Sequence, residues 1–318
     1  MNNKDSSLIL GGVNWNKLKN KKILLTGATG FIGKWLLKSF LHANKQLNLN
    51  AKIYCLGRNF DSLFSFIDKY DKNIIFLDNI DLLNDNYFID DIDYVVHSAC
   101  PSDSKFAKDN PIELLDISLN GTKNLLNKCI NSKIKSILYL SSGAALGIGN
   151  YGEIKKMTEV LCGFYYHKYN LPIKTARIFT TIGPEMNLSY NFAICQFIKN
   201  TLENKSINLT NKSIIRSYLY IIDCVVWLWN ILLDGENNDM YNVGSDKPVE
   251  LKEIANLISK NINIIKDDFT SNSGDYYVPD VTKCCNNLGL VNNYELKEII
   301  DEILKYESTG KKNIRNLV

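Results

Sequence analysis

The sequence predicts an α/β protein: a doubly wound parallel sheet with a smaller, mostly helical lobe toward the C-terminus. Three observations predict it. Short apolar runs alternate with amphipathic helical stretches through residues 21–180. A glycine-rich turn, TGATGFIG, joins the first apolar run to the first helical stretch. After about Gly183 the alternation gives way to helical spacing with short strands such as YNVG at Tyr241.

In order along the chain, residues 1–20 are polar and read as an N-terminal arm or short lead-in helix. KKILLTG is a buried strand that ends in glycine, and FIGKWLLKSFLHAN follows with helical spacing. AKIYCLG, NIIFL and DYVVHSA are the second, third and fourth strands, with an acidic segment before the fourth. NPIELLDISLNGTKNLLNKCINS is an amphipathic helix and KSILYLSS a fifth strand. YGEIKKMTEVLCGFYYHKYN is a long helix and PIKTARIF a sixth strand. One domain is therefore expected over 21–180 and a second lobe over 181–318, with segments around 215–245 returning to the first. YLYIIDCVVWLWNILL, Tyr218 to Leu233, is short of a membrane span and carries Asp223. It reads as a buried helix whose Trp227, Leu228, Trp229 and Leu232 fill the core of the second lobe.

The 318 residues are 45% hydrophobic, enough for a large core. With 37 basic against 34 acidic residues the formal net charge is +3. That excludes recruitment of nucleic acid or a membrane surface by charge alone. The eight cysteines form no CxxC pair and no cluster with histidine at metal spacing, so no metal site is expected and the thiols read as reduced and cytoplasmic. MNNKDSSLIL lacks the apolar run of a signal peptide. His42 and His167 are lone histidines on helices and read as structural.

TGATGFIG places Gly27, Gly30 and Gly33 between a strand and a helix. Gly27 permits the tight turn, Gly30 lets a diphosphate approach the backbone, and Gly33 lets the helix pack close. The helix start, with Thr29, Phe31 and Ile32, then faces the phosphates of a dinucleotide. At the end of the second strand stands CLGRN, with Gly57 where an acidic residue would hold the ribose hydroxyls. Without the acid there is room for a 2′-phosphate, and Arg58 can pair with it. The cofactor read from the sequence is thus NAD(P), with a slight lean to NADP. Asp78 and Asn79, after the third strand, are placed for the adenine.

SSGAALGIGNYGEIKK holds Ser142, Tyr151 and Lys155. The tyrosine and lysine are four apart at a helix start and share a face. An ammonium beside a phenol favours the phenolate, so Lys155 is expected to lower the Tyr151 pKa and also to hold the nicotinamide ribose, which makes Tyr151 and Lys155 expected cofactor contacts as well. Such a tyrosine can pass a proton to or from a sugar hydroxyl, and Ser142, at the end of the fifth strand, can hydrogen-bond the same oxygen.

With these residues the chain resembles the extended short-chain dehydrogenase/reductases, in particular the NAD-dependent nucleotide-sugar epimerase/dehydratase family. The resemblance runs nearly end to end, through TGATGFIG, VVHSAC, NGTKNLL, LYLSSGAALG, YGEIKKMTE, ARIFTTIGP, RSYLYIIDCV and YNVGSDKPVELKEIANLI. It implies a Rossmann domain and a substrate-binding lobe, with Ser142, Tyr151 and Lys155 as the catalytic triad. It implies that His97, Ser98 and Ala99 line the cofactor, and that Arg216 clamps the substrate diphosphate, bidentate chemistry that suits arginine. The loop PEMNLSYNF, Pro184 to Phe192, is expected to meet the sugar nucleotide, with Asn191 as a contact. Thr180 stands where relatives often place an asparagine against the diphosphate. In relatives the helix after the tyrosine pairs with its copy, so the aromatic run GFYYHKY points to a homodimer.

Two departures narrow the expectation. The long polar loop that relatives carry between the serine and the tyrosine is reduced to GAALGIGN. Where the 4,6-dehydratases of the family have an acid pair, and the decarboxylases a glutamate, this chain has Gly143 and Ala144. Neither residue can act as an acid or a base. The expected activity is hydride transfer at sugar C4 of a nucleoside-diphosphate sugar, as a 4-epimerase or a 4-keto reductase, in cytoplasmic synthesis of lipopolysaccharide or another surface glycan. The alternatives are a 4,6-dehydratase lacking the usual acid pair and a non-catalytic dinucleotide-binding protein.

Overall fold

The computed structural model describes residues 1–84, 87, 89, 91–102, 104–190, 192–210, 213–265 and 275–315. Helix α1 (Asn3–Gly11) opens on a reciprocal cap. The Asn2 side chain accepts from the Asp5 amide, and the Asp5 carboxylate accepts from the Asn2 amide. Buried Ile9, Trp15 and Leu18 then carry the N-terminal segment into the main core.

The alternating part of the chain runs β1 (Lys22–Thr26), α2 (Phe31–Gln46), β2 (Lys52–Leu56), β3 (Ile74–Leu77), β4 (Tyr94–His97), α3 (Ser104–Asp109), α4 (Pro111–Leu115), α5 (Gly121–Cys129), β5 (Ser136–Ser142), α6 (Asn150–Tyr169) and β6 (Ile173–Ile178). There follow β7 (Thr181–Ile182), α7 (Ala193–Leu202), β8 (Ile207–Thr210), β9 (Ile214–Arg216), β10 (Leu219–Tyr220), α8 (Ile221–Asp234) and β11 (Met240–Val243). The chain ends with β12 (Val249–Glu250), α9 (Leu251–Ile258), β13 (Ile262–Ile265), β14 (Asp275–Tyr277), α10 (Thr282–Leu288) and α11 (Leu296–Arg315).

Seven strands form one parallel sheet in the order β11-β6-β5-β4-β1-β2-β3. Successive residues point to opposite faces. Leu25, Val96 and Leu138 meet α2 and α8 on one side, while Leu24, Val95 and Ile137 meet α5 and α6 on the other. The six strands read from the sequence are all present. YNV enters the same sheet as β11, paired with β6 through Tyr241 and Ala176.

The tryptophans correct one expectation. Trp229 does not fill the second lobe. It stacks on Trp15 at 5.3 Å, lies 6.2 Å from Phe40 and donates to Ser39 Oγ at 2.9 Å, so α8 covers the central sheet. An almost wholly apolar helix demands burial on every side; the sheet, α1 and α2 cover much of it, and α10 with the segment after it covers the rest, where Trp227 donates to the Val291 carbonyl. The smaller lobe is built of α7, α9 and α11 with two small sheets, β8 with β13 and β9 between β12 and β14.

Helix α6 is tied to the sheet by buried polar contacts. Arg177 of β6 donates from Nε and Nη2 to the two Glu159 oxygens at 2.8 and 2.6 Å, and Ser141 Oγ donates to Glu159 at 2.6 Å. Behind it a π-helical turn over Asp116–Asn120 joins α4 to α5 and brings Ser118 Oγ to 3.1 Å from Thr158 Oγ1. Removing one partner of a buried pair leaves the other charge uncompensated. Glu159→Ala should therefore lower the unfolding free energy by about 3–5 kcal/mol, and the double change Glu159→Leu/Arg177→Met by less. Denaturant unfolding of the three proteins measures the difference.

Candidate active site

The strand register places every loop that matters on one edge of the sheet. Thr26 pairs with Leu56 and His97, Leu56 with Leu77, His97 with Tyr139, and Ser142 with Ile178. Ser142 and the residues just beyond the other pairs therefore lie side by side: Gly27, Gly57 with Arg58, Asp78 with Asn79, Ser98 with Ala99, and Thr180. This is the carboxyl edge where open parallel sheets bind ligands, and the strand order reverses there between β1 and β4.

Gly27 sits at φ +71°, and a Cβ on it would lie 2.7 Å from Ala99 N and from Ser98 C. Any other residue would be strained there and would push β4 away. Gly33 packs its bare Cα against the Gly27 carbonyl, which draws the start of α2 under the turn. His97 is buried and bridges Thr26 Oγ1 (2.7 Å) and Thr122 Oγ1 (2.9 Å). Burial first and the Lys155 charge second bring its pKa down to about 3, so it is a neutral structural link beneath the turn.

Tyr151 lies in the first turn of α6 and Lys155 one turn on. Lys155 is buried, donates to the Leu140 carbonyl at 3.1 Å, and its Nζ is 5.8 Å from the centre of the Tyr151 ring and 5.2 Å from that of Tyr139. Burial opposes its charge, but Cys100, Tyr139 and Tyr151 outweigh burial and raise its pKa, so it is an ammonium at neutral pH. Ser142 Oγ accepts from the Ala144 amide at 3.2 Å, and the serine stands close enough to Tyr151 to lower its pKa. The Tyr151 pKa is nevertheless raised. Burial raises it, and the lowering by Lys155 and by Ser142 only partly offsets that. The expected effect of the lysine is present, but in the protein alone desolvation of the phenolate is the larger effect.

The position expected to hold an acid in dehydrating enzymes is filled by other side chains. An ideal Cβ on Gly143 would lie 2.5 Å from Tyr277 Oη and 2.7 Å from Phe179 Cε1 and Cζ. Tyr277 comes from β14 of the smaller lobe and stacks 4.8 Å from Phe179. Arg216 lies opposite Tyr277 in the β9–β14 pair, with its Cζ 5.9 Å from the Tyr277 ring, and is ion-paired to Asp275. Arg216 and Tyr277 thus bring the smaller lobe against the end of β5 at Gly143.

Residues 23–244 match the model of the NAD dependent epimerase/dehydratase family. The chain belongs to that family. Curated relatives include UDP-glucuronic acid decarboxylase 5 of Arabidopsis thaliana, 26% identical over 303 residues, 88% of this chain and 87% of that one. They also include dTDP-D-glucose 4,6-dehydratase of Dictyostelium discoideum, 28% identical over 81% of this chain and 63% of that one. The fold is shared with UDP-glucose 4-epimerase of Thermotoga maritima, with a TM-score of 0.76 at 19% identity over 91% of this chain and 99% of that one. It is shared also with the enzyme WbmF of Bordetella bronchiseptica, solved with NADH, with a TM-score of 0.80 at 17% identity over 95% and 96%.

This epimerase/dehydratase chain is accordingly an NAD(P)-dependent enzyme, and its residues fit the cofactor. Gly30 is exposed, its missing side chain would touch only the Gly27 carbonyl at 3.4 Å, and no side chain caps α2 there. The first amides of α2, past Thr29 at Phe31 and Ile32, are left for an anion. Arg58 is exposed beside Gly57, and a Cβ on Gly57 would meet the Phe60 ring at 3.2 Å. Asp78 and Asn79 are exposed on the neighbouring loop. The Thr180 carbonyl accepts from the Leu219 amide at 3.0 Å, which ties the site edge to the segment after Arg216. Asn191 lies outside the described residues.

Sequence reasoning missed four residues here. Tyr277 and Phe179 fill the Gly143 space, and Cys100 and Tyr190 stand close enough to Tyr151 to raise its pKa. Tyr190 belongs to the loop expected to meet the sugar nucleotide, but it was not singled out. His42 is bonded to Ser6 at 2.7 Å, and among the described residues no His, Cys, Asp and Glu cluster could hold a metal. Gly27→Ala should abolish dinucleotide binding in a calorimetric titration with NAD and NADPH and lower the melting temperature, because strain and collision both act at that position.

Proposed function

We propose that this enzyme acts on a nucleoside-diphosphate sugar by oxidation or reduction at sugar C4, as a 4-epimerase or a 4-keto reductase. One observation carries the choice within the family. Beside Ser142, where elimination or decarboxylation would need a carboxyl group, stand Gly143 and Ala144, and the space a side chain at 143 would take is occupied by Tyr277 and Phe179. The remaining groups suit proton transfer at one sugar oxygen. Ser142 orients that oxygen by hydrogen bonding. Tyr151 takes its proton and returns it. Lys155 holds its positive charge next to the phenol and stabilises the ionised form, offsetting part of the burial. The nicotinamide, when bound, supplies the place where hydride is stored and from which it is returned. Arg216 presents its guanidinium to the substrate diphosphate, and the ion pair with Asp275 holds it in readiness. The exposed Arg58, with no acid at position 57, favours the 2′-phosphate of NADP.

Tyr151→Phe should keep cofactor affinity and lower turnover by about 10²–10⁴-fold, the range of a lost general acid–base. Unchanged turnover would reject the mechanism. Mass spectrometry of nucleotide released from the freshly purified protein separates the two reactions. Stoichiometric NAD supports the epimerase, since the hydride must go back to the same molecule. An empty protein that binds NADPH supports the reductase.

We infer also a cytoplasmic homodimer serving surface-glycan synthesis. The outer face of α6 exposes Met157, Val160 and Phe164 at i, i+3 and i+7, with Ile112 of α4 exposed nearby. Phe164→Glu is expected to shift the protein from dimer to monomer in sedimentation equilibrium, and an unchanged dimer would place the interface elsewhere.

A further inference from the structure

We propose that Glu185 is a positioning residue for the nucleotide sugar: its carboxylate, held by Lys34 of the cofactor helix and Tyr306 of the smaller lobe, fixes the loop that follows Pro184 in the form that meets the substrate. The proposal rests on the reading of that loop as the substrate side of the site. It adds a residue outside both the Ser-Tyr-Lys motif and the glycine turn.

The backbone of Glu185 leads there. It sits at φ +70°, in the left-handed region that a residue with a long side chain adopts only when its surroundings impose it. Three contacts impose it. Lys34 Nζ donates to Glu185 Oε2 at 2.8 Å, the Tyr306 phenol donates to Glu185 Oε1, and Trp35 Nε1 donates to the Pro184 carbonyl at 2.9 Å. The Lys34 and Glu185 side chains are only 15% and 20% exposed, so their ion pair is screened less than one in open water. Burial works against the Glu185 charge, but Lys34 and Tyr306 outweigh it and lower the pKa, so the residue is a carboxylate at neutral pH.

These partners tie the loop to both halves of the site. Lys34 stands in the first turn of α2, and its amide donates to the carbonyl of Gly30 in the glycine turn at 2.8 Å. Tyr306 belongs to α11, which packs against α7, the helix where the loop ends. The loop begins at the carboxyl edge of the sheet, where Thr180 leads through β7 into Pro184. Past Glu185 it folds on itself. The Asn187 side chain accepts from the Ser189 amide at 2.9 Å, and the Asn187 carbonyl accepts from the Tyr190 amide at 3.2 Å. Tyr190 in turn stands close enough to Tyr151 to act on its pKa. With its root fixed at Glu185, this turn is presented to the site in one arrangement, and the cost of ordering it is met before the substrate arrives.

The test compares Glu185→Gln and Tyr306→Phe with the wild-type protein, each saturated with whichever of NAD and NADPH it binds. Glutamine has one acceptor oxygen for two donors, so it cannot hold both Lys34 and Tyr306. Tyr306→Phe removes a single hydroxyl at the surface and serves if Glu185→Gln does not fold. UDP-glucose and dTDP-glucose are the probes in calorimetric titrations, and hydrogen exchange at the Ser189 and Tyr190 amides reads the loop. Glu185→Gln is expected to weaken the better-bound probe at least about tenfold and to speed exchange in the loop, with cofactor affinity little changed. Tyr306→Phe should act in the same direction by a smaller factor. The double variant should be no weaker than Glu185→Gln alone, because both changes act through one carboxylate. Exchange unchanged in both variants, faster exchange with undiminished probe binding, or an equal loss of probe and cofactor binding overturns the proposal. If the wild-type protein binds neither probe, the reading of the substrate class fails, while the exchange rates still decide whether Glu185 holds the loop.

Discussion

The site depends on how α6 is fastened to the sheet. Tyr151 and Lys155 are useful only if their helix cannot roll, and two buried attachments prevent that. The carboxylate of Glu159 is held by Arg177 and Ser141, from two neighbouring strands, and the Lys155 ammonium is held by the carbonyl of Leu140. A lysine donating to a strand-end carbonyl cannot swing toward water, so its charge stays aimed at the phenol. Such buried polar contacts contribute little net stability compared with an apolar core, but they fix one arrangement where apolar packing would tolerate several.

That fixing has an electrostatic consequence. The same burial that excludes water from Tyr151 also penalises its ionised form, and it outweighs the lysine. The phenol is thus a reluctant base in the protein alone, and Lys155 first and Ser142 second ease its ionisation. A shortened loop between Ser142 and Tyr151 fits this arrangement. Only a short turn separates the serine from the phenol, with Leu146 and Ile148 left exposed on its outer side.

Much of the fold was legible because parallel strands buried on both faces read as continuous apolar runs, and because Gly27 and Gly33 announce a backbone geometry that no other residue allows. Ser142, Tyr151 and Lys155 were legible because they lie within one short stretch. Tyr277 was not. It is far along the chain, on a two-lobe contact that no local pattern encodes, and its only trace in the sequence is the glycine at 143 that makes room for it. The destination of Trp229 was misread for a similar reason. An all-round apolar helix says that it is buried, not against what, and Trp15 and Ser39 decide that from distant parts of the chain. The net direction of the Tyr151 pKa shift was hidden because spacing reveals the lysine but not the depth of burial.

The return of the chain to the sheet at β11 bears on how the protein can be divided. A fragment ending near residue 180 would contain the glycine turn and the Ser-Tyr-Lys set, yet it would leave the outer edge of β6 without its partner and one sheet face without α8. A bare strand edge beside an uncovered apolar face invites aggregation. The nucleotide half is therefore not a portable module: its boundary in space is not a cut in sequence, and expression of either half by itself would yield an incomplete core.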